Sequence, residues 1–226
     1  MKKTALALSL SCALAGVAHS ANAADVGVTL DAGTTGAGLH LVFAMPMDLN
    51  ARVGVNALNF NYARSTSQVD YDFGLKLQTV DALLDWFPTK GSGFRLTTGL
   101  VYNGSKIDYN MKVNAGNQYV FNGNTYSISQ VGSIHGALAF KKLAPYLGIG
   151  WSNGPTSGKG WGFTADMGLM FQGNLDSTLV NSNCAATATV CAQLASDLAA
   201  EKANVDDLLN SFKAYPVMRM GALYTF

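Results

Sequence analysis

The final twelve residues, YPVMRMGALYTF, alternate strictly. Met218, Met220, Ala222, Tyr224 and Phe226 share one face, and Arg219, Gly221, Leu223 and Thr225 share the other. Period two is the signature of a strand. The same alternation recurs in seven earlier segments, at about 25–32, 37–45, 51–62, 73–86, 94–103, 143–151 and 161–171. This repetition constrains the fold more than any other feature, because eight strands with one continuous apolar face must close on a common solvent or a common core.

Two segments change parity. Val53 and Val55 are out of phase with Leu58, Phe60 and Tyr62, and Phe73, Leu75 and Leu77 are out of phase with Val80, Ala82, Leu84 and Trp86. One extra residue in each strand would restore both faces, so β-bulges are expected near Ala57 and Leu58 and near Gln78. A long polar segment from about Lys112 to Gly136 interrupts the strands. The last connection, about 174–214, contains a helical stripe of Leu194, Leu198, Val205, Leu208, Leu209 and Phe212. That stripe reads as a lid packed on its own loop or as a docking helix.

Which face is apolar decides between a barrel in water and a barrel in lipid. The apolar face carries Trp86, Tyr102, Trp151, Trp161, Phe163, Phe171 and Phe226; the opposite face carries Gly54, Gly99, Gly148 and Gly168 with Arg52, Asp81, Asp85, Arg95, Asp166 and Arg219. About eight strands leave an interior just wide enough for side chains. The aromatics would not fit there, whereas small residues and mutually neutralising charges would. The expectation is therefore a lipid-facing aromatic surface around a lumen charge network of Arg52, Asp81, Asp85, Arg95, Asp166 and Arg219. A closed barrel is also the sheet that leaves no unpaired edge in a bilayer.

The ends and composition agree. MKKTALALSLSCALAGVAHSANA has a basic tip, an apolar stretch and an Ala-x-Ala site, the pattern of a secretory signal peptide over 1–23. The expected mature barrel is 24–226. Cys12 does not read as a lipoprotein cysteine, because the apolar segment before it is short and Ser9 stands where a branched residue would be wanted. Removing Lys2 and Lys3 takes 15 basic residues to 13 against 14 acidic ones, a net charge near −1. A chain so close to neutral offers no field for nucleic acid. Cys184 and Cys191, in one segment of an exported chain, are expected to form a local disulfide. Connections after the second, fourth and sixth segments are short and those after the fifth and seventh long, which places both termini in the periplasm.

The signal peptide, the eight segments, LAPYLGIGW, WGFTADMGLMFQG and the terminal YTF resemble the small outer-membrane β-barrel proteins of Gram-negative bacteria, the group around the transmembrane domain of outer membrane protein A and outer membrane protein W. The resemblance implies an all-β fold: an eight-stranded antiparallel up-and-down transmembrane β-barrel in the cell outer membrane, here with a helical segment in the last long loop. It also implies that Phe226, Tyr224, Ala222, Met220 and Met218 form the signal read by the barrel-assembly machinery, with outer-membrane lipids and periplasmic chaperones as the other partners of a monomeric chain. The periplasmic peptidoglycan-binding domain of some relatives is not in this sequence.

Catalytic and cofactor chemistry is sparse. His40 lies on the inner face of the second strand and reads as a hydrogen-bonded lumen residue. Ser133 and His135 share a strand face without an evident acidic orienter. Asp81 and Asp85 are about 13 Å apart along one strand, beyond the spacing of glycosidase pairs, and read as salt partners of Arg52 and Arg95. GPTSGKGW has the wrong spacing for a phosphate loop, and the two histidines and two cysteines of the expected mature chain supply no zinc spacing. No cofactor is expected. The role expected is non-enzymatic, a barrel with a largely plugged lumen serving structure or surface interaction. A narrow channel or binder for a small solute, and a lipid-modifying enzyme, are the alternatives.

Overall fold

The computed structural model describes residues 26–65, 69–113, 118–127, 131–153, 159–210 and 213–226. The expected signal peptide at 1–23, most of GPTSGKGW and Phe212 lie outside them. Thirteen strands and one helix are described: β1 Val26–Gly33, β2 Gly36–Met45, β3 Leu49–Ser65, β4 Val69–Trp86, β5 Phe94–Asn103, β6 Lys106–Val113, β7 Gln118–Phe121, β8 Asn124–Ser127, β9 Ser133–Ala139, β10 Leu143–Ser152, β11 Gly160–Phe171, β12 Asp176–Ser182, α1 Ala188–Leu209 and β13 Ala214–Thr225.

Eight of these strands close on themselves in the order β5, β4, β3, β2, β1, β13, β11, β10 and back to β5, every pair antiparallel. They are the eight segments that alternate in the sequence. The first and last strands meet, with Val28 opposite Tyr224 and Leu30 opposite Ala222, and the Phe226 amide donates to the Val26 carbonyl at 3.0 Å. Closure of this kind leaves the barrel wall without a free edge.

The faces divide as the volumes require. Trp161 is 72% exposed and Met220 65%, whereas Arg52, Arg95, Asp81, Asp85 and Arg219 are all buried. Bulky residues therefore look outward and charges inward. β5, β10, β11 and β13 are 10 to 12 residues long, about the length that crosses a bilayer as a tilted strand. No helix among the described residues is long and apolar enough to cross a membrane.

β3 and β4 are longer, 17 and 18 residues, and rise past the barrel rim at the end away from the termini. There β4 pairs with β6, β6 with β9 and β9 with β12, forming an extension sheet. Thr79 faces Asn103 on β5 and Lys76 faces Lys106 on β6, so β6 continues β5 along β4 in unbroken register across Gly104 and Ser105.

The two expected bulges are absent. From Leu49 opposite Trp86 to Ser65 opposite Asp70 every residue of β3 has one partner on β4. The parity change lies in the side chains and not in the backbone, and Leu58, Phe60 and Tyr62 remain 44%, 50% and 48% exposed. Leu58, Phe60 and Tyr62 stay on the face of Arg52 and Asn56 and pair with Leu77, Leu75 and Phe73, while Asn59 opposite Lys76 and Ala63 opposite Asp72 take the outer side.

The helix belongs to this extension. Thr187 caps it, its hydroxyl accepting from the Val190 amide. Leu194 and Leu198 are buried in a cluster with Tyr119, Tyr126, Val131 and Ile134, so the first half of the apolar stripe packs on neighbouring loop elements, as a lid does. The second half does not follow, since Leu208 is 71% exposed. Cys184 and Cys191 are disulfide-bonded, tying the segment before α1 to its first turn.

Candidate functional site

The lumen holds two layers of charge. In the layer nearer the termini, Arg52 Nε lies 2.6 Å from Asp85 and its Nη1 2.9 Å from Asp166. Arg95 stands 2.8 Å from Asp166 and 3.6 Å from Asp85. Two guanidinium groups and two carboxylates thus form a closed, neutral ring. Thr97 donates to Asp85 at 2.6 Å, and Arg95 donates to Thr164 at 2.8 Å. Charge-assisted contacts of this kind satisfy groups that water would otherwise have to solvate.

In the second layer Asp81 is the hub. Arg219 Nη2 is 3.0 Å from it, His40 Nε2 is 3.1 Å from it, and the Asn56 side-chain amide donates to it at 2.9 Å. His40 Nδ1 contacts Asp31 at 2.7 Å. Gly54 makes room for the imidazole: a Cβ there would fall 2.0 Å from His40 Cδ2. Between and above the layers sit Leu83, Val101, Ala144, Tyr146, Met170 and Val217, all buried, with the Arg219 guanidinium 6.0 Å from the centre of the Tyr146 ring.

All six residues expected in a lumen charge network lie inside, but their pairing differs in one respect. Asp85 takes both Arg52 and Arg95, whereas Asp81, four residues earlier, lies in the other layer and pairs with Arg219 and His40. His40 is hydrogen-bonded within the lumen as expected. Asp31, Asn56 and Thr97 complete the network beyond the six expected residues, and Tyr146 meets it through its ring, beside the Arg219 guanidinium. Their signal was available, because each occupies an inward position of its strand.

Above these layers, at the loop end, Thr34, Thr35, Leu77, Thr79, Asn103 and Ser105 help line a small recess of about 20 Å³. At the opposite end the outer face carries an aromatic cluster: the Trp161 and Tyr224 rings lie 5.0 Å apart, and Tyr224 meets Phe226 edge to face at 5.1 Å. Met218, Met220 and Phe226 are exposed on this same outward face of β13. Ser133 is not the hydroxyl that meets His135; Nε2 of His135 lies 2.8 Å from Ser182 Oγ instead, and Nδ1 bonds Asn110.

No family model matches the chain, and no curated protein matches it. Among solved structures it is similar to CarO2 of Acinetobacter baumannii, with a TM-score of 0.56 at 20% identity over 89% of this chain and 98% of that one. It is similar to CarO of the same organism with a TM-score of 0.51, again at 20% identity and the same coverage. A closed eight-stranded wall, an apolar outer belt edged by aromatics and an ionic interior together make this the fold of an outer-membrane β-barrel.

Proposed function

We propose that the chain is exported with loss of residues 1–23, is inserted by the barrel-assembly machinery through Phe226, Tyr224, Ala222, Met220 and Met218, and serves the outer membrane as a plugged barrel that presents its extension sheet outside. The observation that carries the plug is a pair of ion contacts between strands on opposite sides of the wall. Arg52 on β3 meets Asp166 on β11, and Asp81 on β4 meets Arg219 on β13; three strands separate each pair in either direction. Two such crossings, with Tyr146 beside them, support a lumen without a continuous water path, in keeping with the narrow bore of eight strands. Reconstitution into a planar bilayer tests this: a flat baseline is expected, and discrete reproducible conductance steps would overturn it.

The recess at the loop end favours a second reading as a binder of a small polar solute. Its threonine, asparagine and serine groups offer hydrogen bonds, but at about 20 Å³ it has room for little more than one water and falls far below the usual range of ligand pockets, roughly 300 to 1,000 Å³. Solute uptake that depends on Thr79 and Asn103 would support this second reading over the first.

A further inference from the structure

Three neighbouring strands of the extension sheet bring Asn110, His135 and Ser182 into a chain. Asn110 and His135 sit directly opposite on β6 and β9; Val180 of β12 faces His135, which sets Ser182 one step along the diagonal. His135 Nδ1 bonds Oδ1 of Asn110, and Nε2 stands 2.8 Å from Oγ of Ser182. An amide oxygen accepts only, so Nδ1 holds the ring proton. Nε2 then presents its lone pair to the serine hydroxyl. A histidine oriented by a third group on one nitrogen and bonded to a hydroxyl on the other is the arrangement that activates a serine nucleophile.

Surroundings agree with a working site. Asn110 is exposed and His135 and Ser182 are half-buried, so a small substrate reaches them from solvent. The end of β12 is held in place: the Asn181 side chain donates to the Val131 carbonyl at 3.3 Å, and two residues beyond Ser182 the Cys184–Cys191 disulfide anchors the chain to α1. Val180, 49% exposed beside His135, and Ala137, next to it on β9, give an acyl chain a short apolar strip to lie on.

We propose that Ser182, His135 and Asn110 form an esterase site on the outer face of the extension, acting on carboxylic esters with short acyl chains. Ser182 Oγ attacks the ester carbonyl while its proton passes to His135 Nε2. The tetrahedral adduct expels the alcohol, which takes that proton, and leaves an acyl-serine. Water then attacks the acyl carbon, losing its proton to Nε2, which returns it to Ser182 Oγ as the carboxylic acid departs. Asn110 is a positioning residue that keeps the ring in the required tautomer. The site lies beyond the barrel, so it is independent of whether the lumen is open.

The test uses the folded full-length protein in detergent, with an alkyl fluorophosphonate as covalent probe and p-nitrophenyl butyrate as substrate. The expected result is one phosphonyl adduct, mapped to Ser182, and p-nitrophenolate release that falls by about 100-fold or more in Ser182→Ala and His135→Ala. Both variants should keep the wild-type gel shift between unboiled and boiled samples, since neither residue is in the barrel. Asn110→Asp, which keeps an acceptor oxygen, should retain labelling, and Asn110→Leu should lose it. Absence of an adduct on the folded wild type, or labelling unchanged by His135→Ala, would overturn the proposal.

Discussion

Arg52 Nη1 lies 2.9 Å from Asp166 Oδ2 although β3 and β11 stand on opposite sides of the barrel. The contact bridges the bore, and each member also contacts a second ion, Asp85 or Arg95. Removing one member leaves its neighbours buried and under-compensated, which costs about 3 to 5 kcal/mol. Arg52→Met is expected to destabilise the barrel by that amount in urea unfolding from detergent micelles. The double variant with Asp166→Leu should cost less than the two singles added together, because Arg95 and Asp85 still face each other at 3.6 Å.

Met167 is 54% exposed on the outer face of β11, opposite Ile149 and Met218 on its neighbours. Met167→Arg is expected to cost roughly 2 to 4 kcal/mol in lipid vesicles, the penalty for a cation on the lipid face near mid-depth. Asn59→Arg, on the outer side of the extension, should be close to neutral. Equal effects at the two positions would show that water, not lipid, surrounds Met167.

Gly54 lies under the His40 ring, and the ring is held by Asp31 at 2.7 Å and Asp81 at 3.1 Å. Gly54→Ala therefore has to displace an imidazole that is fixed on both nitrogens, and a loss of about 1 to 3 kcal/mol is expected. Gly74, further along the strand paired with β3, is the control: its added Cβ would meet Asn61 Oδ1 at an ordinary 3.4 Å. The same unfolding assay on Gly74→Ala should show little change.

Asp197 on α1 accepts hydrogen bonds from Tyr126, from Asn124 at 2.8 Å, from Gln193 at 3.1 Å and from Asn122 at 3.3 Å. The Tyr126 bond, foremost, holds this carboxyl below its ordinary value, while burial, aided by Asp197, pushes the Tyr126 phenol up to about 12. A carboxyl lowered on folding stabilises the docked helix above its ordinary value, and that contribution is lost as the pH falls through the lowered one. A phenol raised on folding works in the other sense, losing its contribution as the pH rises through about 12. The protection of amides in 118–127 and 188–200, measured relative to unstructured peptide at the same pH, should fall at acid pH before that of the barrel strands. Asp197→Asn should remove this acid dependence.

The barrel strands were legible because lipid outside and a narrow bore inside impose opposite chemistry on alternate residues. β6 was not, although Ile107, Tyr109 and Met111 alternate with Asp108 and Asn110, because Gly104 and Ser105 look like the end of a strand when they only carry it past the rim. The parity changes at Ala57 and Gln78 leave the register unbroken, because a switch of the apolar face needs no extra residue when the backbone simply continues past the barrel wall. Within the lumen, parity identified who faces inward, while the separation of Asp81 from Asp85 into two layers depends on barrel stagger, which no single strand encodes. Ser182 could be joined to His135 only once β12 was placed beside β9.

The chain has three tryptophans, Trp86, Trp151 and Trp161, all on the outer face and 49%, 51% and 72% exposed. Fluorescence of the protein reconstituted in vesicles, with brominated lipids as quenchers in the bilayer and acrylamide as quencher in water, reports directly on what surrounds that face. Strong quenching by brominated lipid and weak quenching by acrylamide is the result expected of a barrel with aromatics in lipid and charges in its bore. Emission untouched by brominated lipid and quenched by acrylamide would contradict it.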